Sequence, residues 1–194
     1  MKRAILITLA ILAASAAASQ AAKTPRYNVL LAGGSEANMI HIWLAPEGQH
    51  YVIDSIVALE VGGQVCANPE GNPNELICPA PSIAGFEVNA GAGDDRVSVA
   101  KEVKIPVTLR GGSGHDTLVG GSGADKVIGG TGGDRLIGGR GNDLLAGGPG
   151  NDVLLGGRGN DILLTGPGKD LARGGPGKDV IRKFKGVGRK RRTR

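Results

Sequence analysis

Aromatic residues are scarce in this chain. Its 194 residues include one Trp, two Tyr and two Phe, against 35 Gly. A chain with so few large side chains buries little apolar surface per residue, and this composition is unusual for an ordinary globular domain. The sequence therefore predicts a fold whose stability comes partly from something other than a hydrophobic core.

Motifs for common enzyme chemistry are also absent. The sequence has no His-Glu-x-x-His motif, no Gly-x-Ser-x-Gly motif and no Cys beside an evident base. Asp94 and Asp95 are adjacent carboxylates, but Asp95 is explained by the repeat described below. The histidines are His41, His50 and His115. We therefore predict that the chain is not an enzyme, and a degenerate hydrolase or accessory site in residues 22–89 stays an alternative.

Only two cysteines are present, Cys66 and Cys78. Both lie in the part of the chain that would enter an oxidising compartment after export. The competing interpretation is a zinc pair, but no Cys-x-x-Cys spacing or nearby His supports it. We predict a disulfide between the two residues, which would contribute about 3 kcal/mol to the stability of a small domain.

The N-terminus has the pattern of a secretory signal peptide over residues 1–21. Lys2 and Arg3 precede an apolar stretch at residues 4–18, and small residues follow it. That stretch is too short to span a bilayer. A short buried helix is the competing interpretation. We predict a secreted, extracellular protein, with association to the cell surface as a further expectation.

A nine-residue repeat dominates the C-terminal half. Eight units follow one another without insertion over residues 111–182: GGSGHDTLV, GGSGADKVI, GGTGGDRLI, GGRGNDLLA, GGPGNDVLL, GGRGNDILL, TGPGKDLAR and GGPGKDVIR. Asp holds the sixth place of every unit: Asp116, Asp125, Asp134, Asp143, Asp152, Asp161, Asp170 and Asp179. Glycine holds the first, second and fourth places except at Thr165.

An imperfect unit precedes these eight. It is AGAGDDRVS at residues 90–98, with Asp95 in the sixth place, and it starts 21 residues before Gly111 instead of 18. We predict that the repeat fold covers residues 90–182. Upstream, alternating apolar residues separated by Gly, Pro and Asn predict a small β module over residues 22–89, which contains the disulfide.

The pattern of the repeat points to a metal. Its glycines allow sharp turns and close approach of the backbone, so that carbonyl oxygens can point inward beside the carboxylate. Calcium takes six to eight oxygen ligands, so two stacked loops must share one ion. If two units make one coil, Asp116 neighbours Asp134, and Asp125 neighbours Asp143 on the opposite edge. A divalent ion between such carboxylates would turn their repulsion into attraction.

The predicted core of the repeats is thin. Each unit ends in a brief strand, of which only the eighth residue can point inward. These residues are Leu118, Val127, Leu136, Leu145, Leu154, Leu163, Ala172 and Ile181. So few buried side chains do not offset the entropy of ordering the whole repeat region, so we expect the repeats to be largely disordered without calcium and to fold when it binds.

The eight units closely resemble the RTX or haemolysin-type calcium-binding repeat family. The resemblance implies an all-β fold, a right-handed parallel β-roll in which calcium ions lie between turns and are bound by each sixth-place Asp and by backbone carbonyls. Four loops on each edge leave three gaps per edge, hence about six ions, or seven if Asp95 takes part. Thr165, Lys169, Lys178 and Ala172 depart from the pattern, and we expect the weakest sites there.

Two further features suggest partners. Five apolar residues flank the inward positions of the central strands and should face outward, where they could support self-association or be tolerated by solvent. They are Leu144, Val153, Leu155, Ile162 and Leu164. The last twelve residues, 183–194, carry seven Lys or Arg. They are predicted to form a basic disordered tail, either simply solvated or able to bind an anionic polymer.

The leading interpretation is a secreted, non-enzymatic calcium-binding β-roll protein with a structural or adhesive role. A protein that binds polyanions through its basic tail is the alternative from another class.

Overall fold

The computed structural model describes residues 27–32, 35–55, 60–62, 66, 75–80 and 83–183. The predicted signal peptide and all of the basic tail beyond Lys183 lie outside these residues. Within the described part there is no α-helix, and so no helix that is long and apolar enough to cross a membrane. The fold is built from strands alone, as expected from the glycine-rich, helix-poor sequence.

The described residues form sixteen strands. In chain order they are β1 (Tyr27–Ala32), β2 (Met39–Leu44), β3 (His50–Ser55), β4 (Glu60–Gly62), β5 (Glu75–Pro79), β6 (Ile83–Ala92), β7 (Arg96–Val99), β8 (Val107–Ser113), β9 (Thr117–Val119), β10 (Lys126–Thr131), β11 (Arg135–Arg140), β12 (Leu144–Ala146), β13 (Val153–Arg158), β14 (Ile162–Leu164), β15 (Leu171–Arg173) and β16 (Val180–Arg182).

Two eight-stranded sheets enclose one core. Sheet A has the order β4-β1-β6-β8-β10-β12-β14-β16, and sheet B has the order β5-β3-β2-β7-β9-β11-β13-β15. From β6 onward, successive strands alternate between the sheets and pair in parallel with the strand one coil earlier. This is a parallel β-roll with two nonapeptides per coil, which confirms the predicted fold class.

The register reproduces the spacing of the repeats. Leu136 pairs with Leu154, which holds the same place two units later, whereas the step from Val97 to its partner Leu118 is longer than two units. The extra residues of this step lie in the turn between β7 and β8. Val103 of this turn is fully buried, and its N–H donates to the carbonyl of Ala100 at 3.0 Å. The longer first coil thus fills its additional space with an apolar side chain.

The two sheets continue upstream of the repeats. β1 pairs in parallel with β6, and β2 pairs in parallel with β7. The two pairings have the same separation along the chain, which is seen in the pair of Val29 with Phe86 and in the pair of Ile40 with Val97. β6 also crosses the predicted start of the roll at residue 90. Strands β1 and β2 therefore form a coil that precedes the imperfect unit.

Antiparallel strands occupy the N-terminal end of both sheets. β3 pairs with β2 and with β5, and β4 pairs with β1, all antiparallel. The loop between β2 and β3 forms a hairpin that closes through the N–H of Ala45, which donates to the carbonyl of His50 at 2.8 Å. Cys78, fully buried in β5, is disulfide-bonded to Cys66 as predicted.

The core is thick at the N-terminal end and narrow along the repeats. Tyr51 and Phe86, two of the five aromatic residues, pack edge to face with ring centroids 5.2 Å apart. Along the repeats the core is a single ladder of eighth-place side chains. Six of the eight are fully buried: Leu118, Val127, Leu136, Leu145, Leu154 and Leu163.

The prediction was wrong for Ile181. Its side chain is 40% exposed, because β16 is the last strand of sheet A and no later strand of sheet B is described beyond β15 to cover it. Ala172 packs against the core but is only partly buried. The apolar ladder therefore weakens over the last coil.

We predict that Leu154→Ala destabilises the calcium-loaded protein by about 2–5 kcal/mol, because it leaves a cavity in a close-packed ladder. Ile181→Ala, the matched control at an exposed eighth place, should cost no more than about 0.5 kcal/mol. Urea unfolding followed by circular dichroism measures both. Equal effects of the two changes would contradict this description of the core.

Candidate metal centre

The sixth-place aspartates form two ladders, one along each edge of the roll. The first ladder comprises Asp95, Asp116, Asp134, Asp152 and Asp170. The second ladder comprises Asp125, Asp143, Asp161 and Asp179. Each of these residues is at most 2% exposed, except for the last member of each ladder, which is half-buried. The predicted neighbours, Asp116 with Asp134 and Asp125 with Asp143, are indeed adjacent.

Backbone hydrogen bonds hold one oxygen of each carboxylate. Oδ1 of Asp134 accepts the N–H of Asp116 at 2.9 Å, and Oδ1 of Asp152 accepts the N–H of Asp134 at the same distance. The same bond recurs on the second ladder, where Oδ1 of Asp143 accepts the N–H of Asp125 at 2.8 Å. Each aspartate is thus fixed in orientation by the coil before it.

The second oxygen of most of these carboxylates has no partner. Oδ2 is buried and accepts no hydrogen bond in six aspartates: Asp95, Asp116, Asp134, Asp143, Asp152 and Asp161. Asp125 differs, because its Oδ2 accepts the N–H of Gly121 at 2.9 Å. A buried, unpartnered carboxylate oxygen is energetically costly, and it recurs here with the period of the repeat.

A carbonyl oxygen lies beside five of the six unpartnered carboxylate oxygens, those of Asp116, Asp134, Asp143, Asp152 and Asp161. A side chain at Gly129 would overlap both Oδ2 of Asp134 and the carbonyl oxygen of Gly147, which lies 2.7 Å from where its Cβ would be. Gly129 therefore leaves room for the carboxylate and for the carbonyl of the next coil, which occupy the space of a side chain at that place. Two kinds of hydrogen-bond acceptor face one another in this gap, and they are stabilised only when a cation, a proton or a hydrogen-bond donor lies between them.

Second-place glycines allow a backbone conformation and a close contact between coils that other residues would not. Gly130 has φ of 122°, and a Cβ there would collide with the carbonyl oxygen of Gly112 one coil earlier. The second and fourth places of the eight units have positive φ with two exceptions, Gly121 and Gly123. Those two pack against the carbonyls of Val103 and Ile105 in the longer turn. The expected conformational role of glycine is confirmed elsewhere in the repeats.

Burial disfavours the charged form of these carboxylates. Loss of solvent is the main cause that raises the pKa of Asp143 to about 7, and the neighbouring Asp125 and Asp161 add to it. The same loss raises the pKa of Asp116 to about 6, with Asp134 and Asp95 contributing repulsion. It also raises the pKa of Asp125 to about 6. The pKa values of Asp134, Asp152 and Asp161 are raised for the same primary reason.

The donor set fits calcium. In the described part of the chain, no three His, Cys, Asp or Glu side chains converge on one point. A site between coils must therefore combine carboxylates with backbone carbonyls, which are ligands that calcium accepts and that zinc seldom uses. The gaps between successive aspartates offer oxygen atoms alone.

The three histidines and Asp94, which were considered for an enzyme, do not come together as a catalytic group within the described residues. His41 lies against Trp43 with ring centroids 5.1 Å apart, and Nδ1 of His50 lies 3.3 Å from Oε1 of Glu47. Nδ1 of His115 accepts the N–H of Gly133 at 2.9 Å. Asp94 is exposed, and its Oδ1 accepts the N–H of His115 at 2.7 Å.

One functional residue was missed by the sequence analysis. Residues 33–41 read GGSEANMIH, with Asn38 in the sixth place and Ile40 in the eighth. Asn38 precedes Asp95 at the start of the first ladder. Its N–H donates to Oδ1 of Asp95 at 2.6 Å, in the same way that the N–H of each later aspartate donates to Oδ1 of the next one. The paired glycines and the apolar Ile40 in the eighth place were the available signal, but Glu36 and Asn38 replace the two most diagnostic residues.

The Asn38 amide supplies hydrogen-bond donors in its gap. Its Nδ2 lies 2.9 Å from Oδ1 of Asp95, 2.9 Å from the carbonyl oxygen of Ala90 and 2.7 Å from that of Glu36. Ala90 occupies the first place of its unit, so this carbonyl corresponds to the Gly147 carbonyl described above. The first gap of the ladder is thus joined by a neutral amide, where later gaps present only acceptors.

Comparison with protein families identifies the repeats. Residues 108–136 and 128–163 match the family model of the RTX calcium-binding nonapeptide repeat, which contains four copies of the unit. No curated protein and no solved structure matches the chain. The resemblance expected from the sequence is confirmed over these residues.

We predict that Asn38→Asp makes the first gap dependent on calcium. The change removes the amide donors and adds an acceptor, so the metal-free protein should lose about 1–3 kcal/mol of unfolding free energy. Saturating calcium should restore most of it. Asn142→Asp is the matched control, because Asn142 is exposed and its Oδ1 only accepts the N–H of Asn160. Equal losses in the two variants, or no rescue by calcium, would contradict the assignment of Asn38.

We predict opposite effects of pH with and without calcium. The folded pKa values of Asp116 and Asp143 are about 6 and about 7, above the unfolded value of about 4. The metal-free roll then holds protons that the unfolded chain releases, so its stability should fall as pH rises from about 4 to about 7. In chelator the β signal should grow on acidification from pH 7.5 to pH 5, whereas calcium affinity should fall. A metal-free β signal that weakens on acidification would contradict the raised pKa values.

Proposed function

We propose that this RTX-repeat chain is an exported calcium-binding protein whose roll is ordered by ions held between successive coils. The observation that carries the proposal is the set of six buried carboxylate oxygens that lack any hydrogen-bond partner, four on the first ladder and two on the second. A cation in each gap would satisfy the carboxylate and the carbonyl that face one another there.

The proposed ligands are the nine sixth-place aspartates, with first-place carbonyls from the adjacent coil. The first ladder has four gaps between aspartates and the second has three, which gives seven places for an ion. Six of them contain an unpartnered Oδ2, and we propose about six ions on that basis. The last coil should bind most weakly, because Asp170 and Asp179 are half-buried and Lys169 and Lys178 lie in their loops.

Calcium concentration would then control folding. Extracellular modules bind calcium at about 0.1–1 mM, so the repeats would stay unfolded in a cytosol and order outside the cell. The disulfide between Cys66 and Cys78 supports export, since such bonds persist in oxidising compartments. We propose a secreted protein in which residues 1–21 are the signal peptide and the ordered roll begins no later than residue 90.

The proposed role is non-enzymatic, structural or adhesive. An apolar row on the outer face of sheet A supports self-association, since Leu144, Ile162 and Val180 pair in register across β12, β14 and β16. Ile162 and Val180 are 43% and 45% exposed. A sheet face of this kind is a natural contact for a second copy of the chain. The basic tail at residues 183–194 remains the second candidate, as a polyanion-binding element.

The test is a calcium titration monitored by circular dichroism and calorimetry, with magnesium as the control ion. We predict that Asp134→Asn lowers the number of bound ions by one or two, because the amide nitrogen would occupy a gap as Asn38 does. Asp94→Asn is the matched control, since Asp94 is exposed and outside the sixth place. It should leave the number of ions unchanged.

The proposal fails if the wild-type chain shows its full β signal in chelator and no binding heat with calcium. It also fails if magnesium and calcium act alike, because the small Mg²⁺ ion demands octahedral geometry and gives up its water reluctantly.

A further inference from the structure

A basic groove runs along one edge of the roll, outside the aspartate ladders. It has a volume of about 750 Å³ and lies where the outer face of sheet B meets the loops of the second ladder. Four cationic side chains line it: Lys101, Arg140, Arg158 and Arg173. Its floor is formed largely by first- and second-place glycines together with Val119 and Leu155. We call this feature the arginine groove.

The cations are arrayed along the axis of the roll by the repeat itself. Arg140 and Arg158 hold the third place of alternate units and pair in register between β11 and β13. Arg173 pairs in the next strand with Leu155. Strands in a sheet are spaced by about 4.8 Å, so the four intervals from β7, which precedes Lys101, to β15 span about 19 Å.

These charges are not neutralised by the described residues around them. The groove lining contains no Asp or Glu. Arg140, Arg158 and Arg173 are exposed, and none of them takes part in the ion pairs of the described chain. Only Lys101 has a partner, at 3.9 Å from the exposed Glu102. A groove lined by one sign of charge concentrates its field and attracts the opposite sign.

The third places of the opposite edge carry no charge. They are Ser113, Thr131, Pro149 and Pro167. Both third-place arginines therefore lie on the edge that contains the groove.

We propose that the arginine groove binds a single linear anionic chain, specifically a carboxylated or sulfated polysaccharide. A guanidinium group matches the geometry of a carboxylate or sulfate with two parallel hydrogen bonds. The groove holds one extended chain over about 19 Å of its length. No aromatic side chain lines it, which disfavours nucleic acid, because base stacking needs such a platform.

The inference rests on the proposed calcium function in one respect. The second ladder lies beneath the groove, and its buried carboxylates would weaken the positive field unless a cation neutralises them. Calcium should therefore both order the groove and strengthen its attraction for an anion.

The test measures binding of the full chain, in saturating calcium, to polygalacturonate and to dextran sulfate. Arg140→Gln with Arg158→Gln should weaken binding about tenfold or more, since two charge-assisted contacts are lost. The matched control is Lys126→Gln with Arg135→Gln, which removes the same charge from exposed seventh places outside the groove. It should weaken binding by less than about threefold. Circular dichroism should show the same roll in every variant.

Several outcomes would overturn the inference. Equal weakening by the two double variants would indicate unspecific charge attraction, and loss only on removal of residues 184–194 would place binding in the tail. Tighter binding of single-stranded DNA than of either polysaccharide would assign the groove to nucleic acid. If the chain keeps its β signal in chelator and still binds through Arg140 and Arg158, the calcium proposal fails while this inference stands.

Discussion

The structure depends on a buried carboxylate oxygen that faces a carbonyl oxygen across the gap between two coils. Oδ2 of Asp134 beside the carbonyl of Gly147 is one instance of a contact that recurs along both edges. Without a cation or a proton this contact is repulsive, and with one it joins each coil to the next. Parallel strand pairing already joins successive coils, and under the proposed function a cation in each gap would add to their cohesion.

Other features follow from that constraint. The first-place glycine leaves space for the carboxylate, and the second-place glycine lets the backbone turn so that carbonyls stack within the edge. The apolar ladder is only one side chain wide, so it cannot replace the ions. The N-terminal end is different: its core is thicker, Cys66 and Cys78 are disulfide-bonded, and the Asn38 amide donates hydrogen bonds across the first gap. Such an end can act as a fixed start from which ordering propagates coil by coil.

The repeat phase predicted much of this arrangement. A strict period of nine placed Asp116 beside Asp134 and put Leu118 through Leu163 inside, because identical units must stack identically. The place of Asn38 and Ile40 in a coil was not predictable with the same ease, since Glu36 and Asn38 replace the residues that define the unit. The exposure of Ile181 depends on where the stack ends, and the arginine groove depends on which edge each unit faces. Those are properties of the assembled coils and not of any one nonapeptide.

The central claim is most directly tested by anomalous diffraction from crystals grown with calcium. We predict about six peaks along the two edges, one in each gap that contains an unpartnered Oδ2, at about 2.3–2.6 Å from that oxygen. The gap beside Asn38 should contain none, because an amide already joins it. Peaks confined to the surface, with water bonded to Oδ2 in every gap, would contradict the account.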